Sequence, residues 1–335
     1  MATIGAGALT LTDIVKATDP KGKPAKIVEI LTQSNEMLGM IPWIPCNDGQ
    51  SHQTTIRTGL PTGTWRRYNE GVAPTKGTTA QVRVQTGSLE SVSVVDKRLA
   101  EKGGKQNVGA TRAREAVAHI EGLSQQMATA LMYEDERTNV ARLTGLAPHY
   151  SSVSTSTAAS AENVIDGEGT GSDNTSIWLV GFGENAVHGV FEEGGTAGLH
   201  NEDDGEVDVI DATGIAGASF RAYRERFRWQ AGLCVADWTK AGRICNIDTS
   251  NLDNESSDAD LVKLMIRLSE RVQRGGGRYA WLMNRKARTW LRIQKLEKAA
   301  SQITYDMVEG KKVMFFDETP VLLCDAILNS EARVV

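Results

Sequence analysis

Gln53-Thr-Thr-Ile-Arg-Thr58 and Gln81-Val-Arg-Val-Gln85 alternate like strands, and between them lies Glu70-Gly-Val-Ala-Pro-Thr-Lys-Gly77, rich in the residues that turns require. The whole stretch from Ser51 to Gly87 holds nine hydrophobic residues in 37, against 40% for the chain. That is too little to form a core of its own. The pattern predicts a long two-stranded arm. An isolated hairpin is marginal in water, so an arm of this length is expected to lie on another molecule. Copies of the same chain are the simplest supply.

The arm also carries charge. Arg57, Arg66, Arg67, Lys76 and Arg83 stand against the single acid Glu70, a local +4 in a chain of formal charge -5. Trp65, Arg66, Arg67 and Tyr68 are candidate contact residues, because buried aromatics and arginines most often carry interface energy. An acidic run, Glu192, Glu193, Glu202, Asp203, Asp204, Glu206, Asp208 and Asp211, is expected to be a solvated loop. It lacks the spacing of a calcium loop, and contact with a neighbouring subunit is its alternative use. Opposite patches on identical subunits favour heterologous contacts and help select register.

Composition bounds the rest. The chain has 335 residues, 24% of them charged, which suits a folded globular protein with one or two sizeable cores. Its negative charge argues against a dedicated nucleic-acid binder. No apolar run approaches the ~20 residues of a membrane span, and the start lacks a basic-then-apolar leader, so the cytosol is the expected compartment. Cys46, Cys234, Cys245 and Cys324 are scattered without a C-x-x-C pair, and reduced, buried thiols are expected.

Along the chain, a capped turn at Thr12 or Asp13 and the break Pro20-Lys-Gly-Lys-Pro24 precede a helical pattern at Ala25, Val28, Leu31 and Leu38, which Pro42-Trp-Ile-Pro45 ends. Trp43 is expected to anchor this segment. Leu89–Val95 reads as a strand. The longest helical signal runs from Val108 to Tyr133, with Ala113, Val117, Ile120, Leu123, Met127 and Leu131 on one stripe. Small polar residues from Ser151 to Thr175 suggest a linker and a domain boundary near Tyr150. Short strands follow at Ile177–Val180, Val207–Ile210, Gly232–Ala236 and Arg243–Ile247. Helical spacing returns at Leu261–Val272, with Ser257 and Asp258 as possible caps, and Gly275-Gly-Gly277 stops it. Arg278–Met283 reads as a buried strand, Asn284 as the cap of a helix through Leu296, and Lys312–Phe316 with Val321–Cys324 as a final hairpin returning to the first domain's sheet.

Three fragments imitate catalytic signatures. Gly181-Phe-Gly183-Glu-Asn-Ala186 follows a strand as a dinucleotide-binding turn does, but Val187-His-Gly-Val-Phe191 leaves no room for the helix that would hold the pyrophosphate. His119-Ile-Glu121 has the spacing of a zinc deaminase without the cysteines that complete it. Gly217-Ala-Ser219-Phe-Arg221 lacks the second glycine of a nucleophile elbow. No catalytic, cofactor or metal residues are assigned, although a nucleotide-dependent oxidoreductase on the Gly181 turn is the alternative from another class. A ring or tube protein that never closes into a sphere would share the arm.

The order of arm, basic β-arm, long helix and glycine-rich region, with Trp178–Gly189, Arg224–Leu233, Ile244–Leu252 and Thr319–Leu328 as its most specific segments, resembles the major capsid proteins of tailed bacteriophages with the HK97-like fold, especially the epsilon15-like short-tailed group. The resemblance covers essentially the whole chain. It implies an α+β shell protein: residues 1–50 an N-terminal arm and helix, 51–95 the extended hairpin called the E-loop, 96–150 and 256–335 a peripheral domain with 108–133 as its spine helix, and 151–255 an axial domain. It further implies hexamers and pentamers of an icosahedral head around double-stranded DNA, assembled in the host bacterial cytoplasm as a procapsid that expands. A portal, a separate scaffolding protein and a cement or decoration protein are the implied partners, with no membrane involved. Some relatives cross-link an E-loop lysine to a neighbour's asparagine, and Lys76 lies near the tip of the arm, without an identified acid catalyst or acceptor; non-covalent stabilisation is expected here.

Overall fold

The computed structural model describes residues 33–102, 107–210, 218–250, 252, 259–298, 303–308 and 311–335. The expected turn at residues 12–13, the break at 20–24, most of the first helix, the caps Ser257 and Asp258, and Asp211 lie outside them. In chain order the strands are β1 (Trp43–Pro45), β2 (Ser51–Gly59), β3 (Thr78–Gln85), β4 (Gly87–Asp96), β5 (Val164–Asp166), β6 (Asn174–Phe182), β7 (Val187–Phe191), β8 (Leu199–Ile210), β9 (Ser219–Val235), β10 (Ala241–Asp248), β11 (Arg278–Met283), β12 (Ile303–Val308), β13 (Lys311–Phe316) and β14 (Thr319–Leu323). The longer helices are α1 (Val108–Tyr133), α2 (Leu261–Arg271) and α3 (Arg285–Lys298).

Backbone contacts divide the chain into two units. Of the described residues, one unit comprises those of Ser88–Ala128 and Gly198–Gln230; the other comprises those of Ser34–Gly87, Thr129–Ala197 and Ala231–Val335.

In the first unit, β8 and β9 form a long antiparallel hairpin from Leu199 opposite Trp229 to Ile210 opposite Ser219, and β9 also pairs β4. A register shift falls between Asp203 and Gly205, and Gly205 has φ 70°, a left-handed value that glycine adopts at little cost. The apolar stripe predicted for α1 is only half used. Leu123 and Met127 are buried, whereas Val117 and Ile120 are 51% and 40% exposed. Phe227 is fully buried, and the His119 ring stacks on it at 5.5 Å while sharing a 2.6 Å hydrogen bond with the Ser91 hydroxyl. His119 is therefore a packing residue.

The second unit is built on a mixed sheet in the order β12-β13-β14-β11-β6-β7, with β1 parallel to β7 and β10 joining β6 and β5. Every residue of β6 is buried. Because side chains alternate across a strand, Ile177 and Leu179 point to one face and Trp178 to the other. The first face packs under α2 and α3, where Leu261, Met265 and Leu268 meet Ala287, Leu291 and Trp281. On the other face the Arg243 guanidinium lies 5.0 Å over the Trp178 ring and 2.8 Å from Glu331, both partners nearly inaccessible. Asp260 caps α2 by accepting from Lys263 N, and Asn284 caps α3 by accepting from Ala287 N at 2.8 Å, as its position predicts.

The last hairpin joins β11 in the second unit's sheet, and residues 198–230 share the unit of Ser88–Ala128, which holds most of α1. The stretch 151–175, rich in small polar residues, is not a loose surface linker. Asn163, Asn174 and Thr175 are buried, and the Asn163 amide donates to Ala241 O at 2.9 Å. Buried polar side chains persist when backbone groups satisfy them, a pairing that composition cannot reveal.

Candidate assembly interface

The predicted arm is present in the second unit. β2 and β3 pair from Ser51 opposite Gln85 to Gly59 opposite Thr78. At ~3.4 Å per residue the ladder extends roughly 30 Å. Beyond it, residues 60–77 continue without strand pairing, and every residue from 60 to 83 is exposed. The reversal is earlier than expected. It sits at Tyr68-Asn69, where Asn69 has φ 66°, Glu70 N donates to Arg67 O and the Glu70 carboxylate accepts from Arg67 N at 3.0 Å. Asn tolerates the left-handed region better than most residues, whereas the glycines and Pro74 of 70–77 only extend the returning arm.

This turn lifts Trp65 and Tyr68 out of all contact: they are 101% and 97% exposed, and Leu60 is 75% exposed. Arg57, Arg66, Arg67 and Lys76 form no ion pair among the described residues, although Arg66 Nη1 donates to Glu70 O. Arg83 differs. It lies near the root, 3.1 Å from Asp48, and donates to the Ser51 hydroxyl.

The root is gripped tightly. Val84 packs with Cys46, Val190 and Cys234. Thr54 Oγ1 lies 3.6 Å from Cys234 Sγ, and the His52 ring meets the His188 ring edge-on at 5.6 Å. Burial holds both imidazoles below their ordinary range, and for His188 the proximity of His52 adds to it. Burial also pushes the Cys46 thiol up to about 11, so it stays protonated. Gly232 of β9 is required here by close approach, since a Cβ would stand 2.8 Å from Gln85 O and 2.9 Å from the Val190 side chain. Neither this histidine and cysteine cluster nor β1 follows from the sequence, although the burial of Cys46 and Cys234 does.

The acidic run is not one loop. Glu192 and Glu193 follow β7, and Glu193 N donates to Gly49 O at 3.1 Å. Glu202, Asp203, Asp204, Glu206 and Asp208 belong to strand β8, because β9 supplies arginines along the opposing ladder. Arg224 lies 2.5 Å from Asp204, and Arg221 reaches Glu206 and Asp208. Arg112 of α1 lies 2.6 Å from both Asp203 and Glu225, and Lys97 bonds Glu206 at 2.8 Å. The hydrogen bond from Arg112 holds the Asp203 carboxyl below the usual carboxylate range, and Lys97 does the same for Glu206. Repulsion among these acids is relieved within the chain.

The Gly181 turn is structural. Gly181 lies inside β6, where a Cβ would come within 2.7 Å of the Tyr279 ring, and strand β7 follows at Val187 in place of a helix. No helix N-terminus is offered to a pyrophosphate, which overturns the dinucleotide alternative. Among the described residues no three His, Cys, Asp or Glu side chains are grouped to hold a metal ion, and no helix is long and apolar enough to cross a membrane.

A family model described as major capsid protein GP7 matches residues 19–335. Among solved structures, a chain of bacteriophage epsilon15 is 33% identical and superposes with a TM-score of 0.80, covering 100% of this chain and 99% of that one. The capsid protein of bacteriophage JBD30 is 10% identical and superposes with a TM-score of 0.50 over 95% of this chain and 99% of that one, a likeness of fold alone. No curated protein matches. The fold is the α+β, HK97-like capsid fold, and the chain belongs to the GP7 family of major capsid proteins.

Proposed function

We propose that this capsid shell protein assembles by laying the β2–β3 arm, its E-loop, across an adjacent copy, and that such contacts close hexamers and pentamers of an icosahedral head around double-stranded DNA. The observation that carries the reading is the tip, where Trp65 and Tyr68 stand exposed beside three cations, Arg66, Arg67 and Lys76, that form no ion pair among the described residues. A soluble protein rarely leaves two such rings in water on an extended arm unless a partner covers them. Strand-like contacts with a neighbour add affinity without requiring a core in the arm itself. Helix α1 serves as the spine of the peripheral domain, and the sheet around β6 and β10 as the axial domain.

A separate scaffolding protein, a portal and a cement or decoration protein act on this lattice, the DNA is held without sequence preference, and assembly takes place in the host bacterial cytoplasm. The chain performs no catalysis, and Lys76 contributes contact rather than a cross-link. Electron microscopy and light scattering on the purified chain, with and without replacement of residues 60–77 by a short Asn-Gly turn, test the reading. Shells or capsomer rings are expected from the full chain and only small species from the variant, with the same melting temperature. Shells that persist without the tip would overturn it.

A further inference from the structure

The chain is acidic overall, yet one helix pair is not. Helix α3 runs Arg285-Lys-Ala-Arg-Thr-Trp-Leu-Arg-Ile-Gln-Lys-Leu-Glu-Lys298, and α2 adds Lys263, Arg267 and Arg271 at intervals of four residues. Together they hold nine cations against two acids, Glu270 and Glu297, a local +7 in a chain of -5. The two helices pack side by side: Gln294 accepts from Leu261 N and donates to Ala259 O, both at 3.0 Å, and their apolar residues enter one core. Lys263, Arg267, Arg271, Arg285, Lys286 and Arg292 are exposed.

Part of this charge is engaged within the chain. Asp325 holds Arg285, Asp260 holds Lys263, and Arg271 donates to the carbonyls of Glu162 and Val164. Arg267, Lys286 and Arg292 have no ion pair or hydrogen bond among the described residues. Their placement works against the fold. Arg285 and Lys286 occupy the first turn of α3, where the helix dipole disfavours cations and no acid lies in the turn itself; Asp325 answers Arg285, and Lys286 has no ion pair among the described residues. An acidic face of another copy is a poor complement, since Asp203, Asp204 and Glu206 are already neutralised by arginines and Lys97. A duplex offers an uninterrupted row of phosphates.

We propose that the joint face of α2 and α3 binds the phosphate backbone of nucleic acid without reading sequence. The shell reading above supplies the source, packaged duplex, but the chemistry of the surface does not depend on it. Each phosphate contact contributes about -0.9 to the slope of log K against log salt. Fluorescence anisotropy of a mixed-sequence duplex of about 20 base pairs, titrated with the purified full chain between about 50 and 200 mM salt, reads that slope. The combined variant Arg267→Gln, Lys286→Gln, Arg292→Gln is expected to lose about 2.7 units of slope, while Arg267→Lys with Arg292→Lys retains it. Circular dichroism melting confirms that both variants fold.

An unchanged isotherm in the Gln variant overturns the proposal, as does loss of duplex binding only when Arg57, Arg66 and Arg67 are replaced. Electron microscopy of the same preparations separates the two readings. Capsomers lost with duplex binding intact would assign this face to subunit contact and overturn the proposal. Wild-type chain that never forms shells, yet binds duplex through these three cations, would defeat the shell reading and leave this surface standing.

Discussion

Two long antiparallel hairpins in this molecule have opposite fates. β8–β9 carries five carboxylates on one strand and finds an arginine or lysine for four of them within its own unit, with Phe227 fully buried at its base. The β2–β3 arm with its tip carries four cations that form no ion pair among the described residues, and two aromatic rings in water. The ladder hydrogen bonds are alike. What differs is whether the side chains are answered within the same chain, and a hairpin left unanswered is an unfinished contact rather than a weak one.

The contrast is sharpest at the aromatic residues. Phe227→Ala is expected to cost about 3–5 kcal/mol of folding stability, the usual penalty for emptying a packed aromatic site. Trp65→Ala is expected to leave thermal unfolding of the unassembled chain unchanged while abolishing shells by light scattering. A large loss of stability from Trp65→Ala would mean that the ring packs at home.

The ion pairs give the next largest difference. Arg112→Ala leaves Glu225, 12% exposed, without its partner, and is expected to cost about 1–3 kcal/mol in urea unfolding. Arg83→Ala removes a pair whose side chains are 63% and 58% exposed, and such pairs are worth about 0–1 kcal/mol. Equal costs would break the comparison.

The smallest effect is one of pH. His52 and His188 are held below their unfolded value near ~6.5. The unfolded chain therefore takes up protons first, and stability present at neutral pH declines as pH falls through about 6.5 toward the folded values. His188→Gln is expected to flatten that decline in melting temperature, and an unaltered pH profile would remove the pair from the account.

The arm was legible because its poverty in apolar residues is a local property, and so was α1, whose 3.6-residue period points to a helix near the observed Val108–Tyr133. The segments that failed to read depend on partners distant in sequence. Asp203 looks like a repelled loop residue until Arg112 and Arg224 are placed beside that strand. The polar stretch 151–175 looks like a linker until Asn163 is seen capping Ala241 and its neighbours. The tip turn was misplaced because glycine and proline at 70–77 outweighed the single Asn69 that makes the reversal.

Gly232 sets a tolerance on aim. An arm whose ladder alone runs roughly 30 Å behaves as a cantilever clamped at its base, so a tilt of about 5° at the root would carry the end of the ladder about 2.5 Å sideways, most of the distance between one side-chain contact and the next, and the tip beyond it further. With Gln85 O 2.8 Å from the position of a Cβ, the clamp admits no methyl group. The direction in which Trp65 projects is thus constrained at a residue far from it in the chain.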